Sequence, residues 1–233
     1  MHAGEVHVWR TTLDETPGRI RSMREILDDD ERRRVDRVGT EQGRRRFIVG
    51  RGLLRMILGR YLAVDPRTLR FTYGPQGKPA LADLSSGIPL HFNIAHSDDL
   101  AVYAATLGRR IGVDVERLRP GFGGEPIAER FFSAAEIAAL RSIPADEKER
   151  AFFNCWTRKE AYIKATGASI LRALDTFDVS LAPGEPAALL RTHGDAEEAG
   201  RWSLRKLDVG AEYVAALAVE GHGWSLTCWQ WPE

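Results

Sequence analysis

Cysteine is scarce: Cys155 and Cys228 are the only two in 233 residues, and they fall in no zinc-type or Cys-x-x-Cys spacing. That scarcity excludes a disulfide-stapled scaffold and a zinc site built on a cysteine or histidine cluster. Both thiols are expected buried and reduced. Long apolar runs are missing too. No segment reaches membrane-spanning length, and Glu5, Arg10, Asp14 and Glu15 put charge where a secretion leader would be apolar. A cytoplasmic protein is the expectation. Net charge is also absent, because thirty-three basic residues balance thirty-three acidic ones. Composition therefore points to neither a nucleic-acid nor a membrane partner. What is present is a chain 43% hydrophobic, enough for a real core in one domain or two modest ones.

The patterning gives an order of elements. Glu5 to Arg10 alternates as a strand does, and Pro17-Gly18 breaks it before an arginine-rich stretch. From Glu41 to Leu62 the residues Phe47, Leu54, Ile57, Leu58 and Tyr61 recur at helical spacing, with Arg44, Arg51 and Arg55 on another face. Leu69 to Tyr73 reads as a strand, followed by the dense turn Gly74-Pro75-Gln76-Gly77-Lys78-Pro79, which presents Lys78. Leu90 to Ala95 and Leu100 to Thr106 read as a hairpin joined by His96 to Asp99. The second half opens with a strand from Ile111 to Glu116 and a Pro/Gly-rich loop from Pro120 to Pro126. A short helix follows, capped by Ser133 with Glu136 at its third position, and then a long helix from Glu147 to Thr166. Strands are expected at 177–181, 202–207, 213–219 and 224–229, with a loop from Pro183 to Gly200. Each half thus offers one long helix and several mostly antiparallel strands. The expected fold is α+β, two similar subdomains related by a pseudo-twofold, 1–108 and 109–233. No repeat exists at the level of residue identity.

Chemistry concentrates in two segments. In the strand Gly112-Val113-Asp114-Val115-Glu116, Asp114 and Glu116 share one face and the valines the other. In Trp156-Thr157-Arg158-Lys159-Glu160-Ala161-Tyr162-Ile163-Lys164, Glu160 lies on the apolar side of a helix. A buried carboxylate there costs several kcal/mol unless a cation or a cleft mouth receives it. Three carboxylates with lysines suit a hard cation such as magnesium, held against a phosphate-bearing substrate. Blander readings stay open for each part. Asp114 and Glu116 could face water on an edge strand, and Glu160 with Lys164 could be an ordinary helical pair worth about 0.2–0.5 kcal/mol. His96 could be a structural turn residue. The arginines could be one solvated basic face, or a phosphate grip suited to the guanidinium fork.

Taken in order, the segments resemble the 4′-phosphopantetheinyl transferases, specifically the larger pseudo-dimeric Sfp-type class of the W/KEA subclass. The likeness runs from about Arg44 to Ser169. It is carried by Arg46-Phe47 with Gly50-Arg51, Gly77-Lys78-Pro79, Phe92-Asn93-Ile94-Ala95-His96-Ser97, Gly112 to Glu116, Phe131-Phe132-Ser133-x-x-Glu136, and Trp156 to Lys164. The resemblance implies an enzyme that moves the phosphopantetheine arm of coenzyme A to a serine of an acyl or peptidyl carrier protein, releasing adenosine 3′,5′-bisphosphate. It implies that Asp114, Glu116 and Glu160 hold Mg2+, that Lys164 neutralises phosphate charge, and that Lys159 assists. His96, Arg44, Arg46 and Arg51 would contact phosphates, with Lys78 near the adenine or its ribose; among Arg32, Arg33 and Arg34 the sequence does not choose. Glu160 is the candidate base for the serine proton, directly or through a water on the metal. Asp98 departs from the family, which commonly has glycine there. A monomer is implied, because the second half supplies what a partner subunit otherwise would. Other readings are another magnesium-dependent phosphoryl or nucleotidyl transferase, or a non-catalytic module gripping nucleic acid through the arginine-rich helix.

Overall fold

The computed structural model describes residues 1–75, 77–82, 89–119, 121–122, 124–168 and 174–232. Gln76, Pro120 and Ser169, which belong to expected turns and to the end of the resemblance, lie outside them. In chain order the elements are β1 (Glu5–Thr12), α1 (Pro17–Glu25), α2 (Asp29–Arg37), α3 (Glu41–Leu62), β2 (Phe71–Tyr73), β3 (Pro79–Leu81), β4 (Leu90–Ser97), β5 (Leu100–Leu107) and β6 (Ile111–Arg117). They continue as α4 (Glu125–Phe131), α5 (Ala134–Ser142), α6 (Lys148–Thr166), β7 (Phe177–Val179), β8 (Leu189–Thr192), β9 (Trp202–Leu207), β10 (Tyr213–Glu220) and β11 (Ser225–Gln230).

The α+β architecture is four layers deep. One sheet has the order β11-β1-β5-β4 and the other β6-β10-β9. Strand alternation gives each sheet two apolar faces. On the first, Trp9, Phe92, Tyr103 and Ala105 pack against Val49, Leu53 and Leu54 of α3. On the second, Leu204, Val214, Ala216 and Ala218 pack against Ala161 and Ile163 of α6. The remaining faces meet each other, with Val6, Val8, Val102 and Ala104 set against Val113, Val115, Ala215 and Leu217. At the seam, the edge strands β4 and β6 lie side by side, and Asn93 Oδ1 accepts from the Val113 backbone N–H at 2.9 Å.

Four expectations are corrected. Pro17 does not only break a strand: it starts α1, with the Thr16 side chain accepting from the Arg19 N–H as N-cap. The arginine-rich stretch after it is a second helix, opened by a reciprocal capping box between Asp28 and Glu31. Within the expected loop 183–200 sits β8, paired with β7. The final strand does not stay with the second half: β11 pairs in parallel with β1, and Trp229 stacks on Trp9 with centroids 4.6 Å apart. The unit 109–233 thus gives its last strand to the first sheet, where it covers the edge of β1. Cys155 is buried as expected, whereas Cys228, on that edge strand, is exposed.

Buried charge fixes the first helices. Arg55 of α3, fully buried, donates through Nε to Glu31 and through Nη2 to Asp28, each at 2.6 Å, and through Nη1 to the carbonyls of Pro66 and Leu69. This network holds α2 against α3 and orients the arginines that α2 carries.

Candidate active site

The acids meet where α6 crosses β6. Gly112 makes the crossing possible: a Cβ there would stand 2.1 Å from the Ala161 carbonyl oxygen and 2.4 Å from the Ala165 nitrogen. Asp114, two residues on, faces the same helix and is buried. Lys164 Nζ donates to Asp114 Oδ1 at 2.6 Å, while Asp114 Oδ2 is buried without a hydrogen-bond partner among the described residues. Glu160 lies one turn earlier on α6, is 6% exposed, and accepts no hydrogen bond among the described residues. Glu116 is tied to the other sheet, its Oε2 accepting from Ser97 Oγ at 2.9 Å.

Crowding of negative charge shows in the protonation equilibria. Burial raises the Asp114 carboxyl to about 6 against the pull of Lys164. Burial, reinforced by Asp114 and Glu116, raises Glu160 to about 7. Burial acts to depress the Lys164 ammonium, but the Asp114 carboxylate prevails and holds it above its ordinary value. Asp114, Glu160 and Lys164 thus titrate as interacting groups, with a proton to exchange near neutrality.

A cleft of about 670 Å³ opens beside this cluster. Arg46, Phe47 and Arg51 of α3 form one wall, Lys78 and His96 another, and Lys164 the third, so Lys164 belongs to both cleft and cluster. Desolvation, with repulsion from Lys164 and Arg46, holds the His96 imidazole below its usual range, so it is neutral at pH 7. Arg46 is steered by Asp99 of the β4–β5 turn, which accepts from Nε at 3.1 Å and Nη2 at 2.6 Å. Arg51 has a buried Nη1 without a partner among the described residues, and its guanidinium lies 5.7 Å from the ring centroids of both Phe47 and Tyr73. Arg34 also lies over the Tyr73 ring, 3.7 Å from the centroid. Arg32 and Arg33 instead pair with Asp29 and Asp30 of their own helix. Asp98, at φ 49°, takes the left-handed conformation that favours glycine and spends its charge on Arg117.

Two expected ligand contacts are placed elsewhere. Lys159 is fully buried on the far side of α6, paired with Glu136 at 2.8 Å and donating to the carbonyls of Leu174 and Phe177. One residue along a helix is about 100° of rotation, which carries Lys159 away from the face of Glu160 and into the core. Arg44 donates to the Val38 carbonyl and lines a separate groove with Arg21, Arg24 and Arg45. Lys78 reaches the cleft, but its ammonium donates to the backbone carbonyls of Ile111 and Lys164. Tyr73 and Asp99 were not among the expected site residues. Tyr73 carried only strand patterning and Asp99 only turn chemistry.

The elements bordering the cleft match two family models that divide the chain between them. Residues 9–108 match the description "4′-phosphopantetheinyl transferase, N-terminal", and residues 110–218 match "4′-phosphopantetheinyl transferase superfamily". The chain belongs to the 4′-phosphopantetheinyl transferase family. It is 42% identical over 227 residues to the 4′-phosphopantetheinyl transferase HetI of Nostoc, covering 97% of this chain and 92% of that one. It is 32% identical over 156 residues to the transferase Sfp of Bacillus subtilis, covering 67% of each. Among solved structures, the Thermotoga maritima holo-[acyl-carrier-protein] synthase aligns with 48% of this chain and 62% of its own, at 20% identity and a TM-score of 0.37.

Proposed function

We propose that this chain transfers the 4′-phosphopantetheine arm of coenzyme A to a serine of an acyl or peptidyl carrier protein, releasing adenosine 3′,5′-bisphosphate, with magnesium as the resident ion. Family membership sets aside the nucleic-acid module and the other phosphoryl transferases. The observation that carries the site assignment is the Asp114–Lys164–Glu160 cluster at the end of a cleft walled by cations.

The residues suit the ion. Their donors are carboxylate oxygens, and one of them, Asp114 Oδ2, is buried and has no hydrogen-bond partner among the described residues. Among the described residues no three such side chains already enclose a metal position, and Asp114 Oδ1 is occupied by Lys164. Magnesium would complete its ligand set with water and substrate phosphates. Asp114, Glu116 and Glu160 are the residues to hold it. When bound, it supplies positive charge to the pyrophosphate and the leaving group.

The chain's own groups account for the rest. Arg46, His96 and Lys164 face the pyrophosphate, and Arg51 with Arg34, flanking Tyr73, faces the 3′-phosphate. The Gly77-Lys78-Pro79 wall borders the adenosine. In the transfer, the serine oxygen bonds to the β-phosphorus as the bond from that phosphorus to the bridging oxygen breaks. Lys164 stabilises charge on the departing phosphate. Glu160, with a protonation equilibrium near neutrality, takes the serine proton. All three cleft walls come from one chain, which supports a monomer as the working unit.

The test is intact-protein mass spectrometry on apo carrier proteins. One phosphopantetheine mass should be added only with coenzyme A and magnesium present, and chelation should abolish it. Folded protein that loads none of several apo carriers overturns the assignment. Glu160→Gln should lower kcat by about 10²–10⁴-fold, and near-normal turnover in that variant removes Glu160 as the base.

A further inference from the structure

Lys78 holds its position through the opposite half of the molecule. Its side chain leaves the 74–79 turn and ends with Nζ 2.5 Å from the main-chain oxygen of Lys164 and 3.1 Å from that of Ile111. Ile111 opens β6, and Lys164 stands in the last turn of α6, where helix carbonyls lack intrahelical partners. Backbone hydrogen bonds flank Lys78 on both sides. Gly74 N–H donates to the Lys78 carbonyl at 3.0 Å, Gly77 N–H donates to the Gly74 carbonyl at 2.8 Å, and Pro79 pairs with Tyr73 in the β2–β3 ribbon. Lys164 is therefore gripped at both ends, its carbonyl by Lys78 and its ammonium by Asp114.

We propose that Lys78 is a positioning residue: it ties the C-terminal turn of α6 to the first half of the chain and so holds the Lys164 ammonium over the phosphates. This rests on the cleft being the coenzyme A site. A direct contact from Lys78 to adenine or ribose has to compete with two hydrogen bonds already made in a half-buried position, and breaking them leaves the Lys164 carbonyl without its partner. With the Asn93–Val113 bond at the seam, Lys78 brackets the first residues of β6. These two side chains join the two sheets at the rim of the cleft, beside the apolar core that packs them together.

Lys78→Met keeps the length and removes the donors. The expected result is a fall in kcat of about tenfold or more, because a displacement near 1 Å costs up to about 10²-fold. Binding of adenosine 3′,5′-bisphosphate, measured by calorimetry, should change by less than about threefold. The opposite pattern, unchanged kcat with nucleotide binding weakened tenfold or so, makes Lys78 a ligand contact and overturns the proposal. In a Lys164→Met background the same substitution should add little further loss, and full additivity also overturns it. Should the methionine variant not fold, Lys78→Arg keeps donors within reach. It should retain kcat and nucleotide affinity within about threefold, and weakened nucleotide binding at normal kcat again overturns the proposal. Wild-type protein that neither binds the nucleotide nor loads a carrier overturns the transferase reading and this inference together, an outcome distinct from any pattern in the variants.

Discussion

Lys164 Nζ stands 2.6 Å from Asp114 Oδ1, joining the last turn of α6 to the middle of β6. A lysine in this place does two things. It offsets a carboxylate that the packing of Gly112 against Ala161 has forced out of water, and it presents the rest of its charge to the cleft. The acids beside it remain undercompensated, with Asp114 raised to about 6 and Glu160 to about 7. Neutralising or removing that excess charge is the basis of the first two predictions.

Without metal, stability should fall as pH rises through the window set by Asp114 and Glu160. Their ordinary values are 3.8 and 4.5. Above those values the unfolded chain has released protons that the folded protein still holds, so the slope of stability against pH is negative until the folded values near 6 and 7 are passed. Glu160→Gln removes one titrating group and should flatten this slope. We expect the variant to melt roughly 2–8 °C above the wild type at about pH 8, and to show little advantage at about pH 5. Melting curves in chelator across this range check it, and parallel wild-type and variant profiles contradict it.

Magnesium should reverse that loss. Ion binding requires deprotonated ligands, so its stabilisation grows with pH. The rise in Tm on adding magnesium should be several degrees at about pH 8 and near zero at about pH 5. The effect should be lost in Asp114→Asn. A shift that is independent of pH points to nonspecific salt.

Gly112→Ala should be among the most damaging substitutions in the chain. The new methyl meets main-chain atoms of α6, which cannot rotate aside, so the helix must move away from β6. Overpacking of this kind costs about 1–3 kcal/mol and at times more. Because the movement separates Glu160 and Lys164 from Asp114, activity should fall by about 10²-fold even in the folded fraction. Denaturant unfolding with single-turnover transfer rates separates the two losses.

Lys159→Met should act on stability and leave ligand recognition alone. It strands Glu136, which also caps α5 and accepts from the Val179 N–H, as a buried carboxylate without its cation. Breaking such a pair costs about 3–5 kcal/mol. The KM for coenzyme A of the folded enzyme should stay within about twofold of wild type. The double variant with Glu136→Gln should recover part of the stability, since it removes the stranded charge. A large KM increase without destabilisation would return Lys159 to the cleft.

Local pattern already determined a good deal here. Period-two alternation set Asp114 and Glu116 on one strand face, helical spacing set Glu160 and Lys164 on one helix face, and the capping box at Ser133 started α5 where it is found. The order of motifs was enough to name the family. These are properties of neighbours within a few residues, and they hold whatever the rest of the chain does. What the tertiary structure alone decided is which surface each face meets. Periodicity could not show that the residue beside Glu160 enters a core with Glu136, that Arg44 turns from the cleft while Arg34 lies over Tyr73, or that Lys78 ends on the backbone of α6. Nor could it show that β11 returns to β1. Each of these depends on contacts between residues far apart in sequence, fixed by burial, by close approach at Gly112, and by the pairing of buried cations such as Arg55 and Lys159 with carboxylates.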